Sequence, residues 1–330
     1  MEQKFARDPA AYLEDLLKRF RPLREGSLNE TSKVLGDDDP ELFAVAMASV
    51  DGQVVSAGDD RKQFAIQSIS KPFLYGLALD RLGREAVHRK VSVEPTTEAF
   101  NSLTELEEDH LPYNPMINSG AIAISAMLHH ADPRQADGWM IAMLGDYMGR
   151  PAKRHPRATD SGPPPHRNLA IAHLLRHFDV IGDDIDGALK LYNRQCTITA
   201  DTRELALMAA TLANGGVHPV TGRTAVRHEH LRDVLTLMFT CGMYDTSGSW
   251  VYSVGLPAKS GVGGGILAVV PGRMGLAVYS PRLDAHGHSI RGVALLRAWS
   301  SECGLGVFSG SVSSSEVQAV ALDEDSSKPK

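Results

Sequence analysis

Strand-like runs lie at both ends of this chain, and a long helical span separates them. No other sequence feature restricts the possible folds as much. Leu42-Phe43-Ala44-Val45-Ala46-Met47-Ala48 and Gln53-Val54-Val55-Ser56 flank Asp51-Gly52. Asp-Gly between two apolar runs predicts a hairpin, because both residues tolerate positive φ. Gly36 to Pro40 reads as an acidic breaker before it, and Pro9 to Arg21 places Leu13, Leu16, Leu17 and Phe20 at helical spacing. From Pro72 to about Met238 the pattern is mostly helical, interrupted by proline-containing loops at Glu94-Pro95 and Gly162-Pro163-Pro164-Pro165. Strands are expected to return after Trp250, at Val251 to Val254, Gly265 to Val270 and Met274 to Tyr279, with Ile290 to Trp299 as a closing helix. The expected class is α/β in the α+β sense: an antiparallel sheet from the two chain ends, flanked by helices, with an inserted helical lobe. Residues 1–70 and 240–310 are assigned to the sheet-containing part and 71–239 to the helical part. Residues 311–330 are Ser-rich and acidic with few large apolar groups, and are expected to be a disordered tail.

Bulk properties narrow the class. The chain has 330 residues, 43% of them hydrophobic, so it can bury a sizeable core. Its net charge of -6 argues against a nucleic-acid or anionic-membrane surface, which needs a basic excess. Met1 to Arg24 is charged throughout and reads as no signal peptide. No apolar run approaches the roughly 18 residues of a membrane span. Three widely spaced cysteines, Cys196, Cys241 and Cys303, fit reduced thiols in a cytoplasmic protein better than a disulfide framework or a zinc site.

Two short motifs carry chemistry. Gln67-Ser68-Ile69-Ser70-Lys71-Pro72 contains S-x-x-K, which sets a serine nucleophile and a lysine base one helical turn apart. Lys259-Ser260-Gly261 is a K-[ST]-G element. S-x-x-K alone says little, since Ser327 and Lys330 repeat it in the tail, and Ser68 or Ser70 reads equally well as an N-cap. Pro72 favours the first turn of a helix at Ser68, with Leu74, Leu77 and Ala78 as its buried stripe and backbone N–H groups near the serine. A lysine acts as a base only when burial or a neighbouring cation lowers its pKa, and Lys259 is a candidate for that cation. Gly261, Gly263, Gly264 and Gly265 suit close backbone approach to a ligand. Ile266 breaks G-x-G-x-x-G, which excludes a dinucleotide site. His173 and His177 lack the Glu of H-E-x-x-H and read as a surface or core pair. His286 and His288 lie in a polar turn with no assigned role.

The two motifs, in this order and inside this strand–helix–strand layout, resemble the serine acyl-enzyme hydrolases of penicillin-recognising fold. Longer segments resemble the serine-dependent glutaminases: Val50-Asp51-Gly52, Gln67 to Pro72, Asn114-Pro115-Met116-Ile117-Asn118-Ser119-Gly120-Ala121-Ile122, Met208 to Gly216, Cys241-Gly242-Met243-Tyr244-Asp245 and Gly255 to Val262. That resemblance runs from about Arg24 to Gly304. It implies a β-lactamase-like fold, a homodimer or homotetramer, and hydrolysis of glutamine to glutamate and ammonia. It also implies Ser68 as nucleophile, Lys71 as its partner, Tyr244 for proton transfer, and the N–H groups of Ser68 and Val262 as the oxyanion hole. Asn118, Asn168 and Tyr192 match residues that hold the amino-acid end of the substrate; turn, cap and packing duty are their plainer readings.

Two positions depart from the family pattern. Thr31 stands where the family has the tyrosine of Tyr-Ile-Pro. Ser161 stands where it has a glutamate facing the substrate ammonium, with Asp160 beside it. Loss of that charge removes several kcal/mol of charge-assisted bonding, unless Asp160 substitutes. The expected function is a cytoplasmic serine amidohydrolase of glutaminase type with a small-molecule substrate, no metal or organic cofactor, and no nucleic-acid or membrane partner. The alternatives are an amidase for another small amide, a penicillin-interactive hydrolase, and a catalytically silent homologue acting as a binding protein.

Overall fold

Asp51-Gly52 turns the chain between β1 (Ala44–Ser49) and β2 (Val54–Gly58), which pair antiparallel with Met47 opposite Val55. The computed structural model describes residues 8–36, 39–159 and 165–309. The expected tail at 311–330 lies outside the described residues, as do Asp160 and Ser161. Three strands from the far end of the chain, β6 (Ala258–Ser260), β7 (Gly265–Val270) and β8 (Met274–Tyr279), complete an antiparallel sheet in the order β2-β1-β8-β7-β6. The sheet is therefore assembled from both chain ends, and the serine–lysine motif follows its first hairpin.

A second sheet has no counterpart in the sequence reading. Phe64–Ala65 (β3), Lys153–Arg154 (β4) and Ile198–Ala200 (β5) form three short antiparallel strands in the order β3-β5-β4. At two or three residues each they show no period that a sequence pattern can register.

The two faces of the large sheet are buried against different helices, following the period-2 alternation of strands. Phe43, Val45, Met47, Ile266, Ala268 and Val278 pack with Leu13 and Leu16 of α1 (Pro9–Phe20) and with Leu295 and Trp299 of the C-terminal helix. Ala44, Ala46, Ala48, Leu267, Val269 and Ala277 face the central helices. Asp8 caps α1, its Oδ1 accepting from Ala11 N at 3.0 Å.

The central helices are α2 (Lys71–Leu82), α3 (Asn118–Ala131), α4 (His166–His177), α5 (Ile185–Cys196), α6 (Thr202–Ala213) and α7 (His228–Cys241). α2 is buried on every side from Lys71 to Leu79, beyond the Leu74–Leu77–Ala78 stripe, so it forms the hub of the helical region. α6 belongs to the helical span in sequence, yet it packs directly on β1, β7 and β8. Gly275 in β8 permits this: a Cβ there would lie 2.2 Å from Ala210 N and 2.3 Å from Ala206 O.

Two local expectations are corrected. Val251 to Val254 is not a strand. Residues Ser247–Ser253 form helix α8, with Trp250 and Val254 buried, Tyr252 94% exposed, and Val254 N donating to Trp250 O at 2.8 Å. The i, i+4 burial is helical, and four apolar residues are too few to show it in the sequence. Ser68 lies not in the first α-helical turn but in a 3-10 turn, Gln67–Ser70, and α2 begins at Lys71 with Pro72 second. The closing helix appears as α9 (Ile290–Cys303), capped by Ser289. Among the described residues, no helix is long and apolar enough to cross a membrane.

Candidate active site

Strand β3 delivers Ser68. Ile66 N donates to Ile198 O at 2.8 Å, tying the approach to β5, and Ile69 N closes the turn on Ile66 O at 3.0 Å. Gln67 is forced to φ +46°, a left-handed conformation costing a non-glycine residue about 1 kcal/mol or more. Ser70 Oγ donates to Gln67 O at 2.7 Å and braces the bend. Ser68 opens into a cleft of roughly 630 Å³ whose lining includes Thr31, Asn118, Asn168, Tyr192, Cys196 and Val262. The glycines after Lys259 do close-approach work, but against protein. A Cβ at Gly261 would lie 2.8 Å from Ile66 O, and one at Gly263 would lie 3.2 Å from Ala65 O. They let the β6–β7 turn press on the segment that carries Ser68.

Lys71 is 1% exposed, and its Nζ donates to Asn118 Oδ1 at 2.7 Å. Asn118, the first residue of α3, donates from Nδ2 to Asn168 Oδ1 on α4 at 3.1 Å. A base candidate and two substrate-end candidates thus form one hydrogen-bonded chain. Burial lowers Lys71 to about 8. The expected direction of influence between the lysines is reversed. Lys259 is fully buried and is pushed well below its ordinary value by burial and then by the charge of Lys71. Two ammonium groups in this interior repel each other, and Lys259 is the one pushed further toward its neutral form.

Tyr244 sits after α7 at φ +50°, the second left-handed residue of the site. Its hydroxyl donates to Ser260 O at 3.1 Å. A phenol has one hydrogen. With that hydrogen on Ser260 O, Tyr244 Oη can only accept from any other group. Burial raises Tyr244 to about 12, partly offset by hydrogen bonding from the Ser68 and Ser260 side chains. Lys259 Nζ lies 3.9 Å from the Tyr244 ring centroid and donates to Ser260 O at 2.7 Å.

Val262 lies in the turn closed by Gly264 N on Gly261 O at 3.0 Å; its own N–H has no protein partner among the described residues. Tyr192 on α5 is buried beside Cys196, which is itself raised to about 11 by burial. Thr31 lies on the cleft wall, its N–H capped by Asn29 Oδ1 at 2.9 Å. Ser68, Lys71, Asn118, Asn168, Tyr192, Tyr244, Lys259 and Val262 are therefore gathered around one cleft and the buried layer beneath it; Ser161 is outside the described residues. Sequence reasoning passed over the Ser260 carbonyl, which the K-S-G element could have flagged, and His288, for which the sequence holds no signal. Among the described residues, no group of three or more His, Cys, Asp or Glu side chains is placed to hold a metal ion.

A family model described as Glutaminase matches residues 26–308, which include the large sheet and every site residue named above. The chain belongs to the glutaminase family. Glutaminase from Trichormus variabilis is 45% identical over 297 residues, 90% of this chain and 89% of that one. Glutaminase from Corynebacterium glutamicum is 41% identical over 95% of this chain and 77% of its own length. Among solved structures, ybaS, described as a probable glutaminase, superposes with a TM-score of 0.86 at 36% identity, over 91% of this chain and 98% of that one. A Bacillus glutaminase superposes with a TM-score of 0.82 at 31% identity, over 91% and 100%. The glutaminase-family chain thus has the β-lactamase-like fold of these neighbours, with its antiparallel sheet and flanking helices.

Proposed function

We propose that this chain hydrolyses L-glutamine to L-glutamate and ammonia through an acyl-enzyme on Ser68. The observation that carries this reading is that Ser68 opens into the cleft whose wall residue Asn118 accepts from Lys71, a buried lysine whose pKa has fallen to about 8. Lys71, as the neutral amine, takes the proton of Ser68 as Oγ attacks the side-chain amide carbon, and the neutral phenol of Tyr244 relays it by giving up its own hydrogen as it accepts one. The N–H groups of Ser68 and Val262 hold the oxyanion. The same proton passes to the departing nitrogen, ammonia leaves, and the acyl group remains as a serine ester. Water then adds to the ester, giving its proton back along the same path, and glutamate leaves with Ser68 restored. Asn118, Asn168 and Tyr192 hold the amino-acid end, and Lys259 orients Tyr244 and Ser260 as a neutral amine. The protein is further read as a cytoplasmic homodimer or homotetramer.

Thr31 in the cleft wall favours a second reading, an amidase for another small amide, because a hydroxyl there offers a polar contact of different reach. Ammonia release from L-glutamine, with Ser68→Ala as control, tests the first reading. Release that survives Ser68→Ala removes the nucleophile. Release from other amides but not from glutamine selects the second reading.

A further inference from the structure

A buried imidazole packs against Tyr244. His288 is 2% exposed, and its ring stacks on the phenol with centroids 5.2 Å apart and planes 16° from parallel. Its backbone is fixed on both sides. His288 N donates to Asp284 Oδ1 at 2.9 Å, Asp284 N donates to His288 O at 2.9 Å, and Ser289 caps α9. The preceding Gly287, at φ +86°, brings this turn against Val262; a Cβ on it would lie 3.2 Å from Val262 Cγ1.

Counting hydrogens assigns the ring. Thr246 Oγ1 donates its only hydrogen to Met243 O at 2.8 Å, so at 2.9 Å from His288 Nε2 it must accept. Nε2 therefore carries hydrogen. In a neutral ring Nδ1 is then the acceptor, and Ser260 Oγ, 2.9 Å away, donates to it. Neutrality is favoured because burial pushes His288 down to about 4. The carboxylates of Asp284 and Asp245 oppose that push, and any positive charge on Lys259 or His286 adds to it. The backbone carbonyl of the same Ser260 receives both the Tyr244 hydroxyl and Lys259 Nζ.

We propose that His288 is a positioning residue for the reaction: it pins Ser260 through Nδ1 and Tyr244 through ring contact, and so keeps the phenol in line with Ser68. The activity readout of this proposal rests on the glutaminase reading; the geometry does not. His288→Leu removes the acceptor and the ring. His288→Asn keeps a side-chain oxygen able to accept from Ser260. Kinetics with L-glutamine are expected to show kcat reduced about 10- to 100-fold in His288→Leu with KM little changed, and largely regained in His288→Asn. Ser260→Ala, which deletes only the hydroxyl, is expected to repeat the kcat loss and serves if His288→Leu does not fold. Wild-type kcat in either His288→Leu or Ser260→Ala overturns the proposal, as does a loss confined to KM, or His288→Asn no better than His288→Leu.

Nitrogen chemical shifts of His288 in the unliganded protein are expected to show the Nε2–H tautomer; an Nδ1–H ring overturns the proposal whatever the activity. The rate of Ser68 labelling by a fluorophosphonate, read by intact mass across the same variants, separates the two readings. A wild type that is labelled but releases no ammonia from glutamine refutes the substrate, while the order of labelling rates still decides the role of His288.

Discussion

Lys71 Nζ and Asn118 Oδ1 are 2.7 Å apart, so the buried amine is held by a neutral carboxamide rather than by a carboxylate. That choice keeps its pKa low. Asn118→Asp places a negative charge on the amine and favours its protonated form. The acid limb of kcat/KM is expected to move to higher pH, with activity near neutrality down at least tenfold. A pH profile of the variant against wild type measures it.

The wild-type profile follows from the same group. A base must be unprotonated, and burial brings Lys71 to about 8. Activity should therefore rise with pH through about 8, losing close to tenfold for each unit below it. A flat profile from pH 6 to 9 removes Lys71 as the base.

Lys71 also costs stability. Its pKa is lowered in the folded state, so the folded protein binds its proton less readily than the unfolded chain does. Full stability from this group is present above its ordinary value of 10.5 and is lost as pH falls through about 8, a cost of about 3 kcal/mol. Lys71→Met removes that cost and forfeits the bond to Asn118, about 1 to 2 kcal/mol. A net gain of roughly 1 to 2 kcal/mol is expected at pH 7, together with lost turnover, and it should vanish at alkaline pH. Thermal melts at two pH values read both signs.

Tyr244→Phe keeps the ring that stacks on His288 and deletes the hydroxyl that donates to Ser260 O. A loss of about 10²- to 10³-fold in kcat is expected, with the melting temperature near wild type. Full activity in a folded variant would leave the proton path without its phenol.

Gly275 marks where helix α6 touches the sheet. Its absent Cβ would meet backbone atoms, which cannot swing aside. Gly275→Val is expected to cost about 3 kcal/mol or more and to lower the denaturation midpoint without a specific effect on kcat of the folded fraction.

Much of this was legible in the sequence, for physical reasons. Gly265–Val270 and Met274–Tyr279 are long enough to read as strands, and Asp51-Gly52 fixes its own hairpin. The S-x-x-K spacing places Ser68 and Lys71 within one turn whether that turn is α or 3-10. Val251 to Val254 misleads because strand and helix periods coincide over so short a run. The glycines after Lys259 announce close approach but not the object approached, which proves to be Ile66 and Ala65. His288 is brought to Tyr244 by its ring bonds to Thr246 and Ser260, tertiary facts with no spacing to betray them.

The bond from Lys71 to Asn118 continues to Asn168, so the groups read as base and as grip are not separable parts. An engineer who recuts Asn168 to admit a new substrate also retunes the amine two bonds away. Altered selectivity in this scaffold will then arrive with an altered pH optimum, and a second change near Lys71 will be needed to bring the rate back.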